Sequence, residues 1–299
     1  MKKMRLHIYI VLAIFVVGFV IGTFVDQQLS QKIFLRDNAF GLTISAIGTI
    51  PGYMILAMLG GGFFALGIHK KEYKIIYRII LYVLAVGAVG AAIFFSGREF
   101  FGPNGFSQLA KIKWVGYFIV LPIAGGCGFL GYLLTKNSKT PYLWLILGIA
   151  ALCIFMALVP GVTMIKAIFH RPRYRTLTLY DGITFHNWYE RCSNYKDLMA
   201  QYGVISEEFK SFPSGHVGAS SVFMLGVTLL PLLDKKYEKL VLPLFYAGLV
   251  WALFVGFTRI LVGAHFLSDV SMGGILTSIF MLVNNEVLIG VNKKLKFAE

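Results

Sequence analysis

The sequence is poor in charged residues. Asp, Glu, Lys and Arg together make up 14% of its 299 residues, whereas about 25% is usual in a soluble globular domain. Hydrophobic residues make up 57% of the chain, and its mean hydropathy is +0.73. These values exclude an ordinary soluble domain and indicate a protein that crosses a membrane several times.

Cysteine is also scarce, with three residues in the whole chain. Cys127 and Cys153 lie in apolar runs and Cys192 lies in a polar stretch, so no second loop cysteine is present to pair with it. We therefore expect no intramolecular disulfide. The cysteines and histidines do not have the spacing of a metal site, and we expect neither a metal nor another cofactor.

Acidic residues are half as frequent as basic ones, 14 against 28, which gives a formal net charge of +14. A basic excess of this size can indicate a nucleic-acid partner. Here, however, the basic residues form short clusters between apolar runs, as expected from membrane topology and contact with anionic headgroups. We therefore expect the lipid bilayer as the partner and no nucleic acid. The sequence indicates no oligomeric state.

The apolar runs predict an all-α, polytopic membrane helical bundle. Eight of them approach or exceed the ~20 residues that a helix needs to cross a bilayer. The second contains Pro51 and Gly60-Gly61-Gly62, which predict a kink or a close helix contact. The first follows a short basic stretch, as in a signal peptide, but no small-residue cleavage site follows and we expect a retained helix. The eight runs lie at about 7–25, 43–68, 75–96, 114–135, 141–165, 215–233, 240–262 and 270–291.

The distribution of basic residues predicts the orientation of the bundle. An even number of spans places both termini on one side of the membrane. The short connections on that side hold 15 basic residues. The positive-inside rule therefore predicts cytoplasmic termini. The two short connections on the opposite side hold only five, namely Lys32, Arg36, Arg98, Lys111 and Lys113.

Three polar stretches interrupt the apolar pattern and all fall on the predicted outer face. The first runs from Lys166 to Arg173, the second is Pro213-Ser214-Gly215-His216, and the third contains Arg259, His265 and Asp269. Ionisable groups beside hydrocarbon are costly, so such a cluster indicates a functional site.

The residue types suit the binding of a phosphoryl group. Lys166, Arg173 and Arg259 can neutralise phosphoryl oxygens as charge develops in the transition state. Ser214 can cap a helix whose first N–H groups point at an anion, and Gly215 allows close approach of the backbone. Pro172 predicts that the preceding helix ends near position 170.

The two histidines suit phosphoryl transfer. His265 and Asp269 are four residues apart and share a helix face, so the carboxylate can fix the imidazole tautomer and leave the other nitrogen free to attack. His216 can protonate the departing oxygen. Water then hydrolyses the phosphohistidine, and no metal is required. Taken one by one, these residues could equally be structural histidines, snorkelling cations or a helix N-terminal charge. Their joint spacing and common side favour the catalytic interpretation.

Several neighbouring residues are weaker candidates. The longest loop, 174–212, is polar and aromatic, and is either a lid or binding element or an ordered cap without contact to substrate. Two residues of the first stretch are expected either to support the catalytic residues or to line the rim of the substrate site. Three residues beyond that stretch are weaker candidates still. These are His170 and Arg171 in the stretch, and Arg175, His186 and Arg191 beyond it.

The three stretches resemble the signature of the type 2 phosphatidic acid phosphatase superfamily of membrane lipid phosphatases. That signature has Lys-x6-Arg-Pro, then Pro-Ser-Gly-His, then Ser-Arg-x5-His-x3-Asp. The resemblance covers roughly 150–290. This chain has Tyr174 where the family has proline and Thr258 where it has serine. The threonine keeps the hydroxyl, and the tyrosine leaves the cation in place but alters the loop after it.

The resemblance implies a six-helix-type phosphatase core, so two of the eight spans look additional. We accordingly divide the chain into N-terminal transmembrane helices at 1–140 and a phosphatase core at 141–299 with an extracytoplasmic loop at 174–212. It also implies that His265 accepts the phosphoryl group, His216 is the general acid and Asp269 the orienting carboxylate. The phosphate would be held by Lys166, Arg173, Ser214, Gly215 and Arg259.

The activity implied is dephosphorylation of a lipid phosphate at the outer face of a bacterial plasma membrane. Candidate substrates are polyprenyl pyrophosphate, phosphatidylglycerol phosphate and phosphatidic acid. Two alternatives remain open: a phosphatase of soluble phosphate esters, resembling the membrane glucose-6-phosphatases, and a lipid-binding or transport protein without activity. The soluble haloperoxidases have a similar arrangement of site residues, but the membrane spans argue against a haloperoxidase activity.

Overall fold

The computed structural model describes residues 2–101, 114–140 and 142–296. The structure is 80% helical, with no strand among these residues. Eight helical segments of the described chain are long and apolar enough to cross a membrane. The prediction of an all-α bundle with eight spans is therefore confirmed.

The helices are numbered here in chain order. They are α1 (Lys2–Ile33), α2 (Ala39–Ile47), α3 (Ile50–His69), α4 (Ile75–Gly97), α5 (Val115–Lys136), α6 (Leu143–Met156), α7 (Ile165–Phe169), α8 (Tyr174–Leu177), α9 (Tyr195–Tyr202), α10 (Gly215–Val227), α11 (Leu230–Leu233), α12 (Glu238–Leu261) and α13 (Leu267–Lys296). The turn Arg98–Phe100 extends α4 as a 3-10 helix, and a π-helical segment, Ala157–Met164, joins α6 to α7.

The second span is broken, as its proline predicts. It consists of α2 and α3, and Pro51 lies in the first turn of α3, where its missing N–H has no helical partner to lose. The glycines further along α3 allow close packing. A Cβ added to Gly61 would overlap the carbonyl oxygen of Gly128 in α5. Small residues at such a contact let two membrane helices approach closely.

The helix that carries Lys166 ends where Pro172 predicts. Helix α7 stops at Phe169, and His170 follows it with a left-handed φ of 49°. Lys166 and Arg173 therefore do not share one continuous helix. Their approach to each other depends on the fold of the following loop.

Helix α10 lies at the centre of the bundle. The span Gly215–Leu233, which begins with α10, has 67% of its most apolar stretch buried inside the protein, against 22% for the span formed by α1. It packs against α3, α12 and α13, while α1 packs along α13. This position places the first turn of α10, with Ser214, Gly215 and His216, among residues from several other spans.

The loop 174–212 is an ordered cap with a small apolar core of its own. Helices α8 and α9 and a 3-10 turn, Ser206–Phe209, lie within it. Its core consists of Ile183, Cys192, Val204 and Phe209. This cap supplies several backbone carbonyls to the polar cluster, so it is part of the candidate site.

Two of the predictions, the division of the chain near residue 140 and the orientation of the bundle, are not tested by the fold and stay predictions. Of the basic residues that we counted for the orientation, Lys111 and Lys113 lie outside the described residues.

Candidate active site

The three polar stretches meet at one end of α10. The ring centroids of His216 and His265 are 6.4 Å apart. The backbone N–H of Ser214 donates to the carbonyl oxygen of Asp269 at 2.8 Å. A Cβ added to Gly215 would lie 3.9 Å from Cε of Lys166. Residues that are far apart in the sequence thus form one buried cluster.

His265 is held by the cap. Its Nδ1 lies 2.6 Å from the carbonyl oxygen of Ser211. A carbonyl oxygen only accepts hydrogen bonds, so Nδ1 carries the proton and Nε2 carries the free lone pair. Nε2 has no hydrogen-bond partner among the described residues. This is the tautomer that a nucleophilic histidine needs.

Asp269 reaches His265 mainly through Ser211. Its Oδ2 is 3.8 Å from Nδ1 of His265, which is too far for a hydrogen bond. Instead, Oδ2 accepts from Oγ of Ser211 at 2.5 Å and from the backbone N–H of Phe266 at 2.7 Å. The direct bond that we expected from the spacing is thus replaced by a relay, because the cap inserts Ser211 between the two side chains.

The environment of His265 favours its neutral form. Burial lowers the pKa of this imidazole well below its usual 6.5. The Asp269 carboxylate acts in the opposite direction, and the positive charges of three cations add to the lowering; these are Lys166, Arg173 and Arg259. The same charges that would hold a phosphate therefore also keep the nucleophile unprotonated.

Arg259 presents buried hydrogen-bond donors without partners. Its side chain is fully buried, and Nη1 donates to Oγ of Ser45. Nε and Nη2 have no hydrogen-bond partner among the described residues. Unpartnered buried donors on a cation are costly, so such a group indicates a place for an anion.

Lys166 and Arg173 are both held by the cap. Nζ of Lys166 donates to the carbonyl oxygen of Lys210 at 2.6 Å, and Nε of Arg173 donates to that of Glu207 at 2.8 Å. These bonds bring the two cations together although α7 ends between them. Arginine and lysine in such positions supply a planar fork and a point charge for phosphate.

The start of α10 fits an anion. Oγ of Ser214 accepts from the backbone N–H of Val217, so Ser214 caps the helix as predicted. The helix begins at Gly215, and N–H groups in the first turn have no partner within the helix. These N–H groups lie at the positive end of the helix dipole and are available to an anion.

Arg171 takes the supporting one of the two positions, supporting or rim, that we expected. Its guanidinium is 1% exposed and donates to Oδ1 of Asp269 at 2.5 Å, to Oδ2 of Asp26 at 3.0 Å and to the carbonyl oxygen of His186 at 2.8 Å. It also lies over the ring of Phe266, 4.2 Å from the centroid. Arg171 thus joins α1, the cap and α13.

The other weak candidates lie around the cluster. The ring of His170 stacks on Tyr195 at 3.6 Å. Arg175 forms an ion pair with Glu208 in the cap. His186 contributes its backbone carbonyl, and Arg191 is exposed.

Sequence reasoning missed four residues that contact the site. Two are buried carboxylates, Asp26 in α1 and Glu99 after α4, and an acidic residue in or beside an apolar run is a usable signal. The other two, Ser45 and Ser211, carry no such signal. Serine is common in membrane helices and loops, and only the tertiary contacts show its use here.

Fold and site together define an integral-membrane protein with a buried centre of two histidines, a carboxylate and three cations. The sequence model of the PAP2 superfamily matches residues 127–287, more than half of the chain. The chain therefore belongs to this superfamily, which supports a phosphatase activity on phosphate esters. No curated protein and no solved structure gives a significant match.

Proposed function

We propose that the protein is an integral-membrane phosphatase that removes phosphate from a lipid phosphate or pyrophosphate. The observation that carries the proposal is the free Nε2 of His265 beside three cations, one of which, Arg259, has buried donors without partners among the described residues. A nucleophile and an anion pocket at one point are what phosphoryl transfer requires.

The reaction runs in two displacements. The lone pair on Nε2 of His265 attacks phosphorus, and the bond from phosphorus to the leaving-group oxygen breaks as His216 donates a proton to that oxygen. Water then attacks the phosphohistidine, its proton returns to His216, and inorganic phosphate leaves. Lys166, Arg173 and Arg259 take the charge-neutralising part that metal ions take in many other phosphatases.

An apolar cavity beside the site favours a lipid substrate. Its volume is about 370 Å³, and it lies among α1, α10, α12 and α13. Val217 next to His216, and Leu267 and Val270 on either side of Asp269, belong to its wall. A cavity of this kind suits the hydrocarbon chain of a substrate that stays in the bilayer.

We place the site at the outer face of a bacterial plasma membrane, with both termini in the cytoplasm. The distribution of lysine and arginine supports this orientation. The basic connection between α3 and α4 lies at the opposite end of α3 from Ser45 and α2, which contact the site. An outward site fits the dephosphorylation of lipids that reach the outer leaflet.

The first test is phosphate release by the purified full-length protein in detergent with EDTA. The substrates are polyprenyl pyrophosphate, phosphatidylglycerol phosphate, phosphatidic acid and glucose 6-phosphate. His265→Ala should abolish release. The matched control is His69→Ala. The His69 side chain is exposed, and among the described residues its one hydrogen-bond partner is the hydroxyl of Tyr132.

The substrate panel also separates the alternatives. Preference for glucose 6-phosphate over every lipid would favour a phosphatase of soluble esters, for which the polar cap offers a surface. No release from any substrate, or release unchanged in His265→Ala, would contradict catalysis and favour lipid binding or transport.

A further inference from the structure

Glu99 is a buried acidic residue that the mechanism above does not use. It lies in the 3-10 turn that follows α4 and is 9% exposed. Its Oε2 is 3.3 Å from Nε2 of His216, and its Oε1 is 3.4 Å from Nε of Arg98. Position 99 precedes the stretch that matches the superfamily, which begins at residue 127. The contact is therefore supplied by an N-terminal span of this chain.

The contacts of His216 determine which nitrogen faces the reaction. Nε2 lies 3.1 Å from the carbonyl oxygen of Ser45, which can only accept a hydrogen bond. Nε2 therefore carries a proton, and its contacts are with Ser45 of α2 and with Glu99. Nδ1 has no hydrogen-bond partner among the described residues, and it is the nitrogen left to meet the leaving group.

Donation from Nδ1 requires a doubly protonated ring. With its proton fixed on Nε2, neutral His216 has only a lone pair on Nδ1 and cannot protonate an oxygen. The imidazolium is costly in this place, because His216 is 6% exposed and Arg259 bonds the Oγ of the same Ser45. A carboxylate beside Nε2 reduces that cost.

We propose that Glu99 is a positioning residue that holds His216 as the imidazolium whose Nδ1–H protonates the leaving-group oxygen. The inference rests on the proposed phosphatase function. In the first displacement the proton passes from Nδ1 to the leaving oxygen and His216 becomes neutral. Its Nε2–H keeps its contacts with the carbonyl oxygen of Ser45 and the carboxylate of Glu99. In the second, the attacking water returns a proton to Nδ1. Glu99 remains a carboxylate throughout.

The test compares leaving groups. An alkyl phosphate needs protonation of its leaving oxygen, whereas 4-nitrophenyl phosphate releases an anion that is stable without it. Glu99→Gln keeps the shape and removes the charge. We expect kcat/KM for octyl phosphate to fall by about tenfold to a hundredfold, within the range that general acid catalysis supplies. The value for 4-nitrophenyl phosphate should change by less than about threefold, by the same reasoning.

A double variant separates positioning from structure. His216→Ala should show the same leaving-group pattern with a larger loss, and adding Glu99→Gln to it should cause no further loss, because the two residues act as one unit. Glu72→Gln is the matched control, since Glu72 is exposed and pairs only with Lys70 among the described residues. Equal losses on both substrates, or independent losses in the double variant, would overturn the proposal.

A second measurement uses the unaltered protein. In a ¹⁵N spectrum of histidine-labelled protein at neutral pH, His216 should show two protonated ring nitrogens, with the signal assigned by its loss in His216→Gln. A neutral ring with a lone pair on Nδ1 would overturn the proposal even if Glu99→Gln fails to fold. Absence of activity in the unaltered protein, or activity retained in His265→Ala, would instead contradict the proposed function.

Discussion

The Nδ1 atom of His265 lies 2.6 Å from the backbone carbonyl oxygen of Ser211. The hydroxyl of the same serine donates to Asp269 at 2.5 Å. One residue of the cap thus fixes the tautomer of the proposed nucleophile through its main chain and holds the orienting carboxylate through its side chain. The loop that the sequence marks as polar and aromatic therefore contributes to the proposed catalytic geometry.

The relay predicts unequal effects of two substitutions. Ser211→Ala removes the hydroxyl but keeps the carbonyl that fixes His265, so kcat should fall by about tenfold or less, the loss expected for one neutral hydrogen bond. Asp269→Asn removes the charge that pairs with Arg171 and that would stabilise the proposed phosphohistidine, and kcat should fall by about a hundredfold or more. Steady-state kinetics on the preferred substrate measures both. Equal losses would contradict the relay.

Arg171 should be a major source of stability. Its removal leaves the carboxylates of Asp26 and Asp269 buried without this partner. Breaking a buried pair in this way costs about 3–5 kcal/mol. Arg171→Ala should therefore lower the midpoint of thermal unfolding in detergent strongly. The exposed pair between Arg5 and Glu286 is the matched comparison. Arg5→Ala should lower the midpoint much less, because solvent screens an exposed pair. Similar shifts for both would contradict the argument.

Arg259 should bind the phosphoryl group directly. Arg259→Lys keeps one charge but loses the planar fork whose Nε and Nη2 have no described partner. We expect kcat/KM to fall by about a hundredfold or more, as for loss of one preorganised donor to transition-state charge. Inhibition by orthovanadate should weaken in parallel. Unchanged inhibition would show that the anion lies elsewhere.

The pKa of His265 predicts the acid limb of the pH profile. The nucleophile must be neutral, and burial lowers its pKa well below 6.5. The neutral form is therefore already dominant at pH 6.5, and activity should fall only as the pH drops through the lowered value. The profile of kcat/KM for 4-nitrophenyl phosphate reports this limb with the least dependence on the general acid. An acid limb at or above 6.5 would contradict the assignment.

The orientation can be tested by thiol labelling in whole cells. Tyr189 in the cap is 55% exposed, and Lys71 between α3 and α4 is also exposed. In a background without Cys127, Cys153 and Cys192, Tyr189→Cys should react with a membrane-impermeant maleimide and Lys71→Cys should react only after permeabilisation. The reverse pattern would place the site on the cytoplasmic face.

The sequence indicated most of the site because the cost of charge in a membrane makes each polar residue informative. Lys166, His216 and Asp269 stand out against apolar runs. The N-terminal capping of helix α10 could be predicted from Ser214 alone. Asp26 and Glu99 carry the same signal, but the site residues that they contact, Arg171 and His216, are more than a hundred residues away in sequence.

The sequence by itself determined the number of spans and the end of α7 before Pro172, and it led to the residues that we propose bind and attack phosphate, since these follow from local composition and spacing. Only the tertiary structure decided how they are used. It inserted Ser211 between His265 and Asp269, brought Arg173 back to Lys166 and set Glu99 against His216. Hydrogen bonds depend on distances of a few tenths of an ångström between distant segments, and such distances arise only when the helices and the cap pack together.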